Sequence, residues 1–98
     1  MASRTITDTA EELIPQNRLR KSLVIQNEDT AINVFVKRER PGTTSVSTTD
    51  HDHRLGPEAA IALNWGTDGQ EAIQDRWTIV ATSGTPRISI FETEDIRR

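Results

Sequence analysis

The sequence predicts a small all-β fold, an antiparallel β-sandwich of jelly-roll-like type with about 6–8 short strands. Two β-branched runs, one through Leu23 and Ile25 and one through Ile32, Val34 and Val36, flank a polar knot at Asn27-Glu28-Asp29-Thr30. Turn signals recur along the chain at a spacing of roughly 8–12 residues. The one helix-compatible stretch, Glu71 to Arg76, is too short to stand as a helix in water.

Taken in order, Ser3 to Thr9 is threonine-rich around Ile6. It reads as a first strand or as an N-terminal arm, residues 1–9, laid on a neighbour. Glu12 to Ile14 forms a short strand, because Pro15 biases Ile14 toward an extended conformation. From Arg18 to Lys37 the pattern is that of a hairpin with a tight turn. Leu23, Ile25, Ile32, Val34 and Val36 then share one core-facing side. Val24 and Phe35 face the other way, toward a second sheet or a subunit.

Pro41-Gly42 marks a turn, and Thr43 to Arg54 reads as a weak edge strand running into a loop. After the turn at Leu55-Gly56-Pro57-Glu58, Ile61, Leu63 and Trp65 alternate with small or polar residues, as in a half-buried strand. Gly66 to Gly69 breaks the chain. Trp77 to Thr82 is a strand, Ser83 to Pro86 a hairpin turn, and Arg87 to Glu92 the last strand. Residues 93–98 form a charged tail.

The chain, residues 1–98, is sized for a single domain with a thin core: 34% of residues are hydrophobic, 4% aromatic, and none is cysteine. A chain this short buries only about 60–65% of the surface exposed on unfolding. Without disulfides to compensate, contacts between subunits are expected to supply part of the stability. The net charge is −3, and Lys and Arg are scattered rather than clustered, which is no footprint for nucleic acid. No apolar run is long enough to span a membrane, and the first residues open no signal peptide. A non-exported protein is therefore expected.

Chemistry is sparse. His51-Asp52-His53 with Glu58 has the spacing of half a cupin metal motif, since two imidazoles two residues apart on a strand point the same way. The chain holds only these two histidines, so a third imidazole is missing, and the glycine that precedes the cupin pair is absent. The flanking Thr48-Thr49-Asp50 and Arg54 favour a solvated loop. There is no thiol nucleophile and no Gly-x-Ser-x-Gly elbow. Trp65 and Trp77 suit a sugar-stacking platform less well than burial in a core or interface. Neither enzymatic activity nor a cofactor is expected.

One ordered set of motifs is more specific. Pro15-Gln16-Asn17-Arg18 is followed by Lys21 to Asn27, by Ile32 to Val36, by Leu55-Gly56-Pro57 and by Trp77 to Thr85, with Ile88, Ile90 and Glu92 at the end. This order, over Thr9 to Glu92, resembles a group of small virion proteins of tailed bacteriophages. The chain departs from their pattern at Phe35 to Arg38, where they have a glycine-rich turn, and at the His51 loop.

The resemblance implies a jelly-roll subunit of a phage particle assembled in the bacterial cytoplasm. It implies above all a capsid decoration (cement) protein on the major capsid protein or another virion protein, and it carries no catalytic residue. A fibre or adhesin module recognising a glycan or a partner protein is the alternative. A homo-oligomer, a trimer first of all, is expected, with Ile6, Leu13, Ile14, Val24, Phe35, Trp65 and Phe91 as candidate interface side chains.

Overall fold

In the computed structural model, which describes residues 2–64 and 73–94, eight strands build two four-stranded sheets. They are β1 (Ala2–Thr5), β2 (Glu11–Ile14), β3 (Arg20–Asn27), β4 (Val34–Arg38), β5 (His53–Leu55), β6 (Ala60–Asn64), β7 (Trp77–Ala81) and β8 (Arg87–Glu94). The first sheet has the order β1-β8-β3-β6 and the second β2-β7-β4-β5. All pairings are antiparallel. Every pair of successive strands except β4 and β5 lies in opposite sheets. This interleaving is the double Greek key of the jelly roll.

Alternation along the strands makes the core. Leu23 and Ile25 of β3 and Ile88 and Ile90 of β8 face Val34 and Val36 of β4 and Ile79 of β7 across the sandwich, and all are buried. Each such side chain gives about 1.5–3 kcal/mol on leaving water. Ile6 lies fully buried in the same cluster, and its amide donates to Pro86 O at 3.0 Å. The N-terminal residues are thus a strand of the domain's own sheet, with Ala2 to Thr5 in register with Ile90 to Arg87. They form no detached arm, because Ile6 fills core space that the chain itself opens.

The expected hairpin at Arg18–Lys37 is an arch instead. Its strands form and its aliphatics do meet in one core, but β3 and β4 lie in different sheets and share no ladder. Two apolar faces reach the same core equally well from opposite sides, so alternation did not distinguish the two cases. The polar knot satisfies the arch. Fully buried Asn27 donates through Nδ2 toward Ile32 O (2.7 Å), Gly56 O (3.0 Å) and Leu55 O (3.1 Å) and accepts the Asp29 amide on Oδ1 (3.0 Å). Asp29 Oδ1 in turn accepts the amides of Ala31 and Ile32.

Ser83–Pro86 is likewise an arch, between β7 and β8. Gly84 there has φ +67°, and a Cβ on it would lie 2.9 Å from Ile32 Cδ1. The two arches therefore pack on each other.

Thr43–Arg54 contains no strand before β5. Residues 39–52 fold as a flap over the outer side of the second sheet, where Val46 covers Phe35 and Val80 and the His51 ring packs tilted against Phe35 with ring centroids 4.5 Å apart. Pro41-Gly42 is a turn with Gly42 at φ +87° and Thr43 N donating to Arg40 O.

Two buried charged groups hold the flap. Arg76 donates to Arg40 O, Thr43 O and Thr44 Oγ1 and pairs through Nε with Glu12 at 2.7 Å. The Glu39 carboxylate accepts the Ser45 amide and hydroxyl and the Thr78 hydroxyl, with Lys37 Nζ at 3.6 Å. Burial by itself would raise the Glu39 pKa. The Ser45 and Thr78 hydrogen bonds and Lys37 outweigh it and hold the carboxyl below its ordinary 4.5.

Two predictions follow from these contacts. Gly84→Ala forces a side chain into the left-handed region and against Ile32, and should destabilise the fold by about 1–3 kcal/mol in denaturant titration. Because the folded Glu39 pKa is depressed, its contribution is present above pH 4.5 and fades as pH falls through the folded value. Glu39→Gln should cost about 1–3 kcal/mol at neutral pH. It should also flatten the decline of Tm with acid below pH 4.5 that is expected of the native chain.

Candidate binding face

The two outer sides of the sandwich differ. On the second sheet, the apolar side chains Phe35 and Val80 lie under the flap. On the first sheet nothing among the described residues covers the outer side, and strand register sets its side chains in rows. Ala62, Val24 and Phe91 align across β6, β3 and β8, because Val24 is the partner of both Ala62 and Phe91. A second row runs Ala60, Gln26, Ser89, Ser3. A third runs Asn64, Ser22, Thr93, with the Ser22 and Thr93 hydroxyls 2.6 Å apart.

No charged side chain stands in these three rows, in a chain with 28% charged residues. Phe91 is 47% exposed at the centre of β8, Val24 is half-buried beside it, and Ala62 is exposed. Leu19, 55% exposed, stands in the turn that leads into β3. A face of this kind releases water from apolar and neutral polar groups without stripping hydration from a charge.

Of the candidate interface side chains, Val24 and Phe91 therefore meet on one exposed face. Ile6, Leu13 and Ile14 are buried in the chain's own core, and Phe35 is buried beneath the flap. Trp65 lies outside the described residues. Val24 and Phe35, expected on one common side, stand on the outer sides of opposite sheets because the hairpin is an arch. Ala62 had no apolar bulk to single it out. Its place in the row comes only from register.

The candidate metal residues do not converge. His51 lies on Phe35 with Nδ1 3.1 Å from Ser47 O, His53 stands on β5 with its ring 6.0 Å from that of Trp77, and Glu58 sits exposed in the next turn at φ 63°. Among the described residues no three His, Cys, Asp or Glu side chains come together as a metal set.

A polar cavity of about 410 Å³ opens at one end, lined by Gln16, residues 38–41, Asp75 and Arg76. Of its three arginines, Arg38, Arg40 and Arg76, the first is engaged by Asp75 (3.3 Å) and the last by Glu12 and the flap. Beside it, Arg20 is 1% exposed and pairs with Glu92 while donating to Ile73 O (2.7 Å), Asp75 O (3.1 Å) and Pro15 O (2.8 Å). That cluster ties β3, β8 and two connections together, which is a structural task. Sequence reading gave Arg20 no role, because one cation among scattered charges carries no sign of burial.

Compared with known proteins, the chain matches no family model, no curated protein and no solved structure.

Proposed function

We propose that this chain is a structural subunit of a tailed-phage particle, a decoration (cement) protein that lays the outer side of its first sheet on the major capsid protein or another virion protein. The observation that carries this reading is the uncharged, uncovered face around Phe91 and Val24, opposite a face that the chain covers itself. The jelly-roll strand order suits it, as capsid and lectin domains use the same architecture. The order of motifs from Pro15 to Glu92 is the second support. The mechanism is burial of apolar and neutral polar surface centred on one aromatic anchor, the usual anatomy of a binding hot spot. The glycan-binding alternative leans on Trp65 and has no such support among the described residues.

Phe91→Glu tests the reading. Phe91 is exposed, so the variant should keep its β-sheet circular dichroism and a stability within about 0.5 kcal/mol of the native chain. In co-sedimentation with particles lacking the protein, its affinity should fall by about 30-fold or more, as expected for loss of a 2 kcal/mol anchor. Native-like co-sedimentation of Phe91→Glu would overturn the proposal. Removing residues 2–9 is a poorer test, because it deletes β1 and the buried Ile6.

A further inference from the structure

Where β4 ends and β7 begins, the polar cavity of about 410 Å³ brings Arg38, Arg40 and Arg76 together with Asp75, Glu39 and Gln16. Small-ligand sites have volumes of roughly 300–1,000 Å³, and this one falls within that range.

The charges around it do not cancel. Arg76 is buried, has Glu12 as its counter-ion and donates further to Arg40 O, Thr43 O and Thr44 Oγ1. The Glu39 side chain is 2% exposed; its carboxylate accepts from Ser45 and Thr78 and has Lys37 as its cation. Asp75 answers Arg38 at 3.3 Å from Nε, beyond the hydrogen-bond range of about 2.7–3.2 Å. No hydrogen bond occupies the Arg38 Nη groups among the described residues. Arg40 is left over: its guanidinium has neither a hydrogen bond nor an ion pair among the described residues.

The backbone that carries this arginine is nevertheless fixed. Arg40 O accepts from Arg76 Nη1 and from the Thr43 amide, each at 3.1 Å. Pro41 biases Arg40 itself toward an extended conformation. Exposure alternates through Arg38, buried Glu39 and Arg40, so the two exposed arginines stand on one side of the chain, at the cavity.

We propose that this cavity binds a dianionic oxyanion of phosphate type, free or as the phosphate group of a small organic molecule, with Arg40 and the Arg38 Nη groups as its donors. The planar guanidinium fork matches such oxygens and holds them by charge-assisted hydrogen bonds. A single carboxylate would only repeat the pairing that Asp75 already makes. A tetrahedral oxyanion has oxygens enough for both guanidiniums while Asp75 keeps the Arg38 Nε. The Gln16 side of the cavity is left for the remainder of a phosphate ester. The site shares no residue with the rows around Phe91 and does not depend on the virion reading.

Calorimetric titration of the full chain at constant ionic strength tests this. Inorganic phosphate should bind saturably, one per chain, with a Kd of about 1 mM or lower. Acetate should bind at least about tenfold more weakly, because it lacks the second charge and the further oxygens. Arg40→Gln and Arg38→Gln should each weaken phosphate binding about tenfold or more, the loss of one hydrogen bond between charged partners. Both side chains are exposed, so the circular dichroism spectrum should not change. Arg87→Gln, at the opposite end of β8 from Glu94, should bind phosphate as the native chain does. Titration with glycerol 3-phosphate separates the two sources, since tighter binding than phosphate assigns an ester and weaker binding the free ion. No saturable phosphate binding, equal affinity for acetate, or affinity indifferent to Arg40→Gln would each overturn the proposal, as would an equal loss in Arg87→Gln.

Discussion

Crossing the sandwich is the constraint on which the rest of this structure depends. Every pair of successive strands except β4 and β5 lies in opposite sheets. A hairpin satisfies its turn with ladder hydrogen bonds, but an arch leaves backbone groups at each crossing without a ladder partner. Here buried polar side chains take that part. Asn27 closes the β3–β4 arch onto the corner between β5 and β6. Arg20 gathers the carbonyls of Pro15, Ile73 and Asp75 at the opposite end of β3. Among the described residues no buried side-chain nitrogen or oxygen lacks a partner. In a chain with a thin apolar core, this completeness matters more than any single contact, because one unsatisfied buried group costs about 1–3 kcal/mol.

The same economy explains why the two outer sides differ. The connection between β4 and β5 is the one that need not cross, and it is free to fold back over its own sheet. Glu39, Thr78 and Arg76 anchor it there, and Phe35 and Val80 become a second small core. No equivalent flap reaches the first sheet among the described residues. Around Phe91 its outer side carries three rows of uncharged side chains, with Arg87 in the row beyond them.

Much of the strand content was legible in the chain. Alternation placed Leu23, Ile25, Ile32, Val34 and Val36 on one core-facing side; four of them are buried in the core and Ile32 packs against it. Pro15 bounded β2, and Pro41-Gly42 marked a true turn. The candidate face was legible only in part. Val24 and Phe91 stood out as bulky residues on the outward side of strong strands, but nothing local said that they align. Ile6, Leu13 and Ile14 were candidates for an interface, with residues 1–9 read as a first strand or as an arm laid on a neighbour. They lie in the core because long-range pairing with β8 and β7, which no local pattern encodes, holds those segments in place.

The sequence by itself determined the class of fold, the positions of its apolar strands and their inward faces, because side-chain alternation along a strand has period two and is a local property; it did not show β5, His53–Leu55, which carries no such pattern. It also determined that Asn27 to Thr30 would be a polar turn. Which sheet each strand joins, and therefore whether that turn is a hairpin or an arch, was decided by tertiary structure. Both arrangements bury the same five aliphatics, and only the competition among all eight strands for neighbours separates them. The same competition chose which outer side the residue 39–52 flap would cover. The row of Ala62, Val24 and Phe91 is thus a product of topology, written in no single stretch of the chain.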